Sequence, residues 1–177
     1  MERKAYKIDH SNNNFKIYDP ENKLKFTASW FLGFGKSTSE VYDLENKILF
    51  TIVKKFNFWK GQISYIILNK NKETLVLQAN KKESNIFELE LKDDLYEVQV
   101  HYSQKKSICK NGLKIAEIND GFLSSKEEST SNILLSSIAD LELVFLLFTC
   151  LKTGETHQKS LIKSQKKLIP LQENWNS

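Results

Sequence analysis

The sequence predicts a mainly β fold, an antiparallel barrel or sandwich, with one hydrophobic helix near its C-terminus. Three observations lead there. Short runs rich in β-branched and aromatic residues recur at even spacing through residues 4–118, broken by Asn, Asp, Lys and Glu clusters. Leu95-Tyr96-Glu97-Val98-Gln99-Val100-His101-Tyr102 alternates strictly, which places one face in a core and the other in water. A single long apolar run, Ile133 to Leu151, breaks the pattern. The 177 residues suffice for one domain with a full core. With 40% apolar and 27% charged residues, neither disorder nor a multi-span membrane protein fits. Six glycines and two prolines exclude collagen-like or linker-rich chains and disfavour enzymes built on glycine turns.

Along the chain, Tyr18-Asp19-Pro20-Glu21-Asn22-Lys23-Leu24-Lys25-Phe26 recurs as Tyr42-Asp43-Leu44-Glu45-Asn46-Lys47-Ile48-Leu49-Phe50. Each copy holds an aromatic strand end, an Asp able to bond its own turn backbone, and an apolar restart, so one hairpin design is reused in a meander. Strands are expected at Val41–Asp43, Ile48–Val53, Ile63–Leu68 and Thr74–Gln78, and Asn111-Gly112 marks a tight hairpin turn. Ile133–Leu151 is expected as one helix about 28 Å long, capped by the Ser129-Thr130-Ser131-Asn132 segment and closed by Lys152-Thr153-Gly154. Its second half, Leu143–Phe148, is apolar all round and must be surrounded by protein or lipid. A membrane span would need about 20 mostly apolar residues, yet Asp140 and Glu142 interrupt this run. A buried helix inside a large closed barrel is therefore the better reading, because barrel interiors widen with strand number.

The Phe15-Lys16-Ile17-Tyr18-Asp19 strand, the hairpin Glu40-Val41-Tyr42-Asp43-Leu44-Glu45-Asn46-Lys47-Ile48-Leu49-Phe50-Thr51-Ile52-Val53-Lys54-Lys55 and the hydrophobic stretch Ile138–Leu151 together resemble the tubby C-terminal-like superfamily. That superfamily includes the LURP-one-related proteins and the phospholipid scramblases. Asn46 stands where the family's hairpin usually has glycine, and some twenty residues follow the helix where members often end. The resemblance spans roughly residues 5–152 and implies a closed barrel of about twelve strands around a central helix. Tubby proteins bind phosphoinositides through basic side chains, which carries over here as a class of activity and not residue by residue. Asp93-Asp94 lacks the alternating oxygen ligands of the scramblases' calcium segment.

Little enzymatic chemistry is visible. Gly33-Phe34-Gly35-Lys36-Ser37 ends like a phosphate-binding loop, but Trp30 replaces the first glycine and a strand follows, so a loop between strands is expected. His10, His101 and His157 are scattered, and His101 is expected to face solvent. No nucleophile motif occurs, and Glu88 and Glu90 read as a solvated outer face. Cys109 and Cys150 form no CxxC pair, which excludes a disulfide framework and a four-ligand zinc site; Cys150 reads as buried. No apolar leader follows Met1, so an intracellular setting is expected.

Arg3 is the single arginine among 26 basic residues, and the net charge is +4. Lysine holds polyanions or anionic membranes loosely and reads little sequence, so no sequence-specific nucleic acid is expected. The candidate site is three lysine pairs, Lys54-Lys55, Lys81-Lys82 and Lys105-Lys106, each near a strand end. In a meander these can converge at one rim to hold phosphate headgroups, with Phe56, Phe58 and Trp59 beside the first pair at headgroup level. The alternative is that lysines end strands for solubility and edge protection. The sequence is thus expected to form a non-enzymatic barrel over residues 1–156 and a lysine-rich tail over 157–177. No cofactor or metal is expected, and the partner is an anionic phospholipid surface or, alternatively, another protein.

Overall fold

In the computed structural model, residues 3–33, 36–57, 59, 61–83, 85–101, 105–120 and 128–153 are described. The expectations for the 157–177 tail, and for Phe58, Tyr102 and Gly154, fall outside them. Twelve strands run in chain order: β1 (Arg3–Ser11), β2 (Asn14–Tyr18), β3 (Leu24–Gly33), β4 (Lys36–Tyr42), β5 (Ile48–Asn57), β6 (Gln62–Asn69), β7 (Thr74–Ala79), β8 (Ile86–Leu91), β9 (Asp94–Val100), β10 (Lys105–Lys110), β11 (Leu113–Asp120) and β12 (Glu128–Ser136). One helix follows, α1 (Leu141–Lys152). Every strand is antiparallel to its chain neighbours, and β1 pairs with β12, with Arg3 opposite Ser136, to close the barrel. The meander was legible in the period-2 runs, and closure removes the two edges an open sheet would leave.

Because each connection reverses direction, the barrel has two different rims. The odd-to-even connections share one rim, and the even-to-odd turns share the other. The repeated hairpin lies on the second. Asp19 Oδ1 accepts from the amides of Glu21 and Lys23 at 3.0 and 2.8 Å, and Asp43 Oδ1 from those of Glu45 and Lys47 at 2.9 Å each. Asn22 and Asn46 sit at φ 65° and 60°, the left-handed region that glycine otherwise supplies. A third copy, at Asn69, holds the amides of Asn71 and Glu73 at 2.9 Å each with Lys72 at φ 64°. Asn111 (φ 50°) and Gly112 (φ 78°) form the expected two-residue hairpin turn.

The helix differs from expectation at its start. Ile133–Ser136 belongs to β12, where Ser131, Ile133 and Leu135 are buried and Asn132 is exposed, a period-2 pattern concealed within the apolar run. Asp140, which interrupts the run, is the N-cap: its carboxylate accepts from the Glu142 amide at 2.9 Å. The helix therefore has 12 residues, about 18 Å, and spans the barrel from the turn rim to the opposite rim. Leu143 through Cys150 are buried on every side. Phe145 stacks on Phe26 of β3, and Phe148 meets Phe15 of β2 edge-on at 5.7 Å. A twelve-stranded barrel is wider than strand side chains alone fill, and a helix about 10 Å across occupies the remainder. Each large apolar side chain so enclosed contributes about 1.5–3 kcal/mol.

No helix among the described residues is long and apolar enough to cross a membrane.

His101 is a second correction. It is buried, and its Nε2 lies 2.9 Å from Ser107 Oγ. Alternation told which face His101 takes, not whether that face is covered. Neighbouring outward residues Ser107, Cys109 and Glu117 are buried as well. Cys109 and Cys150 are both buried and form no disulfide.

Candidate functional site: the lysine rim

All three lysine pairs lie at the rim made by the odd-to-even connections. Lys54-Lys55 is near the end of β5, Lys81-Lys82 is in the β7–β8 connection, and Lys105-Lys106 opens β10. Strand alternation then divides the pairs. Lys55 and Lys105 point outward, and Lys81 and Lys82 are exposed. Lys54 and Lys106 point into the barrel, where Lys54 meets the Thr153 carbonyl and Lys106 the Asp120 carboxylate.

Lys106 is buried and pairs with Asp120 of the adjacent strand β11, two residues beyond its register partner Ile118. The same carboxylate receives Lys152, from the last turn of α1, at 2.9 Å. Ser131 of β12 donates to Asp120 Oδ1 at 2.8 Å. With that proton committed, Ser131 Oγ accepts from His10 Nε2 at 2.9 Å. Burial alone would raise the Asp120 carboxyl, but the Lys106 and Lys152 ammoniums outweigh it and hold the group well below the usual carboxylate range.

A second set closes the helix end. Lys54 Nζ donates to the Thr153 carbonyl at 3.0 Å and lies over the Tyr65 ring. Thr153 Oγ1 donates to the Thr149 carbonyl at 2.8 Å, leaving its lone pairs to the Ser39 hydroxyl at 2.6 Å. Lysines at a helix C-terminus oppose the negative end of its dipole. Together these bonds latch α1 to β4, β5 and β11. Charge periodicity did not expose them, because all the partners are distant in the chain.

The two rims differ in electrostatics. The turn rim mixes signs, with Lys23–Glu21 and Lys47–Glu45 at 2.5 Å and Lys110–Asp94 at 2.7 Å. The lysine rim presents Lys36, Lys55, Lys81, Lys82 and Lys105, with Glu83 the nearby exposed carboxylate among the described residues of its loops. Lys105 lies 4.0 Å from Glu117, which Lys114 already holds at 2.8 Å. No cluster of His, Cys, Asp and Glu suited to a metal occurs among the described residues. Glu88 is committed to Asn80 at 2.5 Å. The expected loop at 33–37 is the β3–β4 connection, with Gly33 closing one strand and Lys36 opening the next.

The family model of the LURP-one-related proteins matches residues 2–152. A solved structure of an Arabidopsis thaliana protein is similar in fold, with a TM-score of 0.60 at 13% identity, covering 85% of this chain and 90% of that one. No curated protein matches the sequence.

Proposed function

Because the chain belongs to the LURP-one-related family, we propose that its barrel is a non-enzymatic module that sets the lysine rim against anionic phospholipid headgroups at the cytoplasmic face of a membrane. The observation that carries this reading is the gathering of Lys36, Lys55, Lys81, Lys82 and Lys105 at one end of the barrel. Each lysine held near an anionic surface contributes about 1 kcal/mol, screened within a Debye length of about 8 Å at physiological salt. Point charges of this kind attract phosphate without demanding one stereochemistry.

Co-sedimentation with anionic and neutral vesicles tests it. Binding should be confined to anionic vesicles and weaken with salt, and Lys55→Glu, Lys81→Glu, Lys82→Glu and Lys105→Glu together should abolish it. Binding that survives this charge reversal would remove these lysines from the account. If the parent protein pellets with no vesicle, the lipid reading falls and a protein-interaction scaffold replaces it.

A further inference from the structure

The lysine rim is not level. The β3–β4 ladder continues to Gly33 opposite Lys36, and the β5–β6 ladder to Asn57 opposite Gln62. Their outer neighbours stop earlier, β2 at Asn14 opposite Ser29 and β7 at Gln78 opposite Ser64. Four strands thus project past the barrel as a lip, joined through Ser37 opposite Lys54. Four apolar side chains on it are open to water: Phe31 is 44% exposed, Leu32 65%, Phe56 50% and Trp59 100%.

We propose that this lip is a membrane wedge: Phe31, Leu32, Phe56 and Trp59 enter the headgroup–acyl boundary of an anionic bilayer while Lys36 and Lys55 stay at phosphate level. The inference rests on the lipid reading above and adds to it a mode and an orientation, with the barrel axis standing lysine rim down. Aromatic side chains favour that boundary, and an apolar tip flanked by cations is the complement of an anionic interface. At the turn rim, exposed apolar residues sit among carboxylates, which repel an anionic surface. Leu44 lies between Asp43 and Glu45, Leu95 beside Asp94 and Ile138 near Asp140, while the lysines next to Ile48 and Leu113 pair with Glu45 and Glu117. A projecting tip also suits a soft bilayer better than a protein partner, whose interface centres on well-packed pockets.

The test uses phosphatidylserine–phosphatidylcholine vesicles and an environment-sensitive nitrobenzoxadiazole label at Trp59→Cys, with Leu113→Cys at the turn rim as the control site. The native cysteines are buried and stay unlabelled. On vesicles, emission from position 59 should shift to the blue and be quenched by lipid-borne nitroxide, while position 113 stays water-like. Replacing Leu32, Phe56 and Trp59 together by Ser should weaken binding about tenfold or more with the salt dependence retained. These side chains are exposed, so thermal unfolding should stay as in the parent. Water-like emission at position 59 on vesicles that carry the protein down, or full-strength binding by the triple variant, overturns the wedge and leaves the lysine reading standing. Failure of the parent protein to bind any vesicle overturns both.

Discussion

Asp120→Asn is the sharpest probe of how the barrel holds its helix. The change is isosteric and leaves the Ser131 contact possible, but it strands two ammoniums that share one buried carboxylate. Breaking a buried ion pair by removing one partner costs about 3–5 kcal/mol. Lys152 is partly exposed and can turn toward water, so the lower figure, about 3 kcal/mol, is expected here. For a chain of this size that lowers Tm by about 10 °C. Removing both sides, with Lys106→Met and Asp120→Leu together, should recover most of the loss, because apolar replacements of a buried pair are tolerated. The pH dependence adds an independent check. The folded carboxyl lies below its unfolded value, so its contribution is complete above the ordinary Asp range and is lost as pH falls beneath it. The gap between parent and Asp120→Asn should therefore narrow by about 1.4 kcal/mol per pH unit below about pH 4. Urea unfolding from pH 7 to pH 3 measures both quantities. A gap under about 1 kcal/mol at pH 7, or one unchanged at pH 3, would refute the triad as a latch.

Other changes probe the remaining parts. Phe148→Ala removes a fully buried ring packed on Phe15, Phe145 and His10 and should cost about 3–5 kcal/mol in denaturant unfolding. Lys72→Gly relieves a lysine held at φ 64° and should raise stability by about 0.5–1 kcal/mol; destabilisation would show that the Lys72 side chain matters more than its backbone. Burial pushes the Cys150 thiol far up, so a thiol reagent should leave both cysteines unmodified in the native protein and react with both in denaturant.

The turns show how much local chemistry reveals. Asp19 and Asp43 were legible as hairpin organisers because an Asp two and four residues before the bonded amides is a local signal, and Asn46 in place of glycine agrees with its positive φ. The third copy carries a weaker local signal: Asn69 replaces Asp, and a lysine occupies the left-handed position. The Ile133–Ser136 segment is a strand that its sequence disguises, because alternation within a nearly continuous apolar run looks like a helix face. Of the candidate site, the rim was foreseeable, since strand ends in a meander alternate between two ends. Side-chain direction within each pair was not, because it requires the register of each strand against the barrel wall.

The sequence by itself determined the β meander, the turn chemistry and the presence of a helix that needs an enclosure, for these depend on residues close together in the chain. Only the tertiary structure decided the closure of β1 on β12, the conversion of Lys106, Asp120 and Lys152 into one buried triad, and the projection of β3–β6 beyond the rim. Each depends on groups far apart in sequence meeting across the barrel, and no local pattern encodes that meeting.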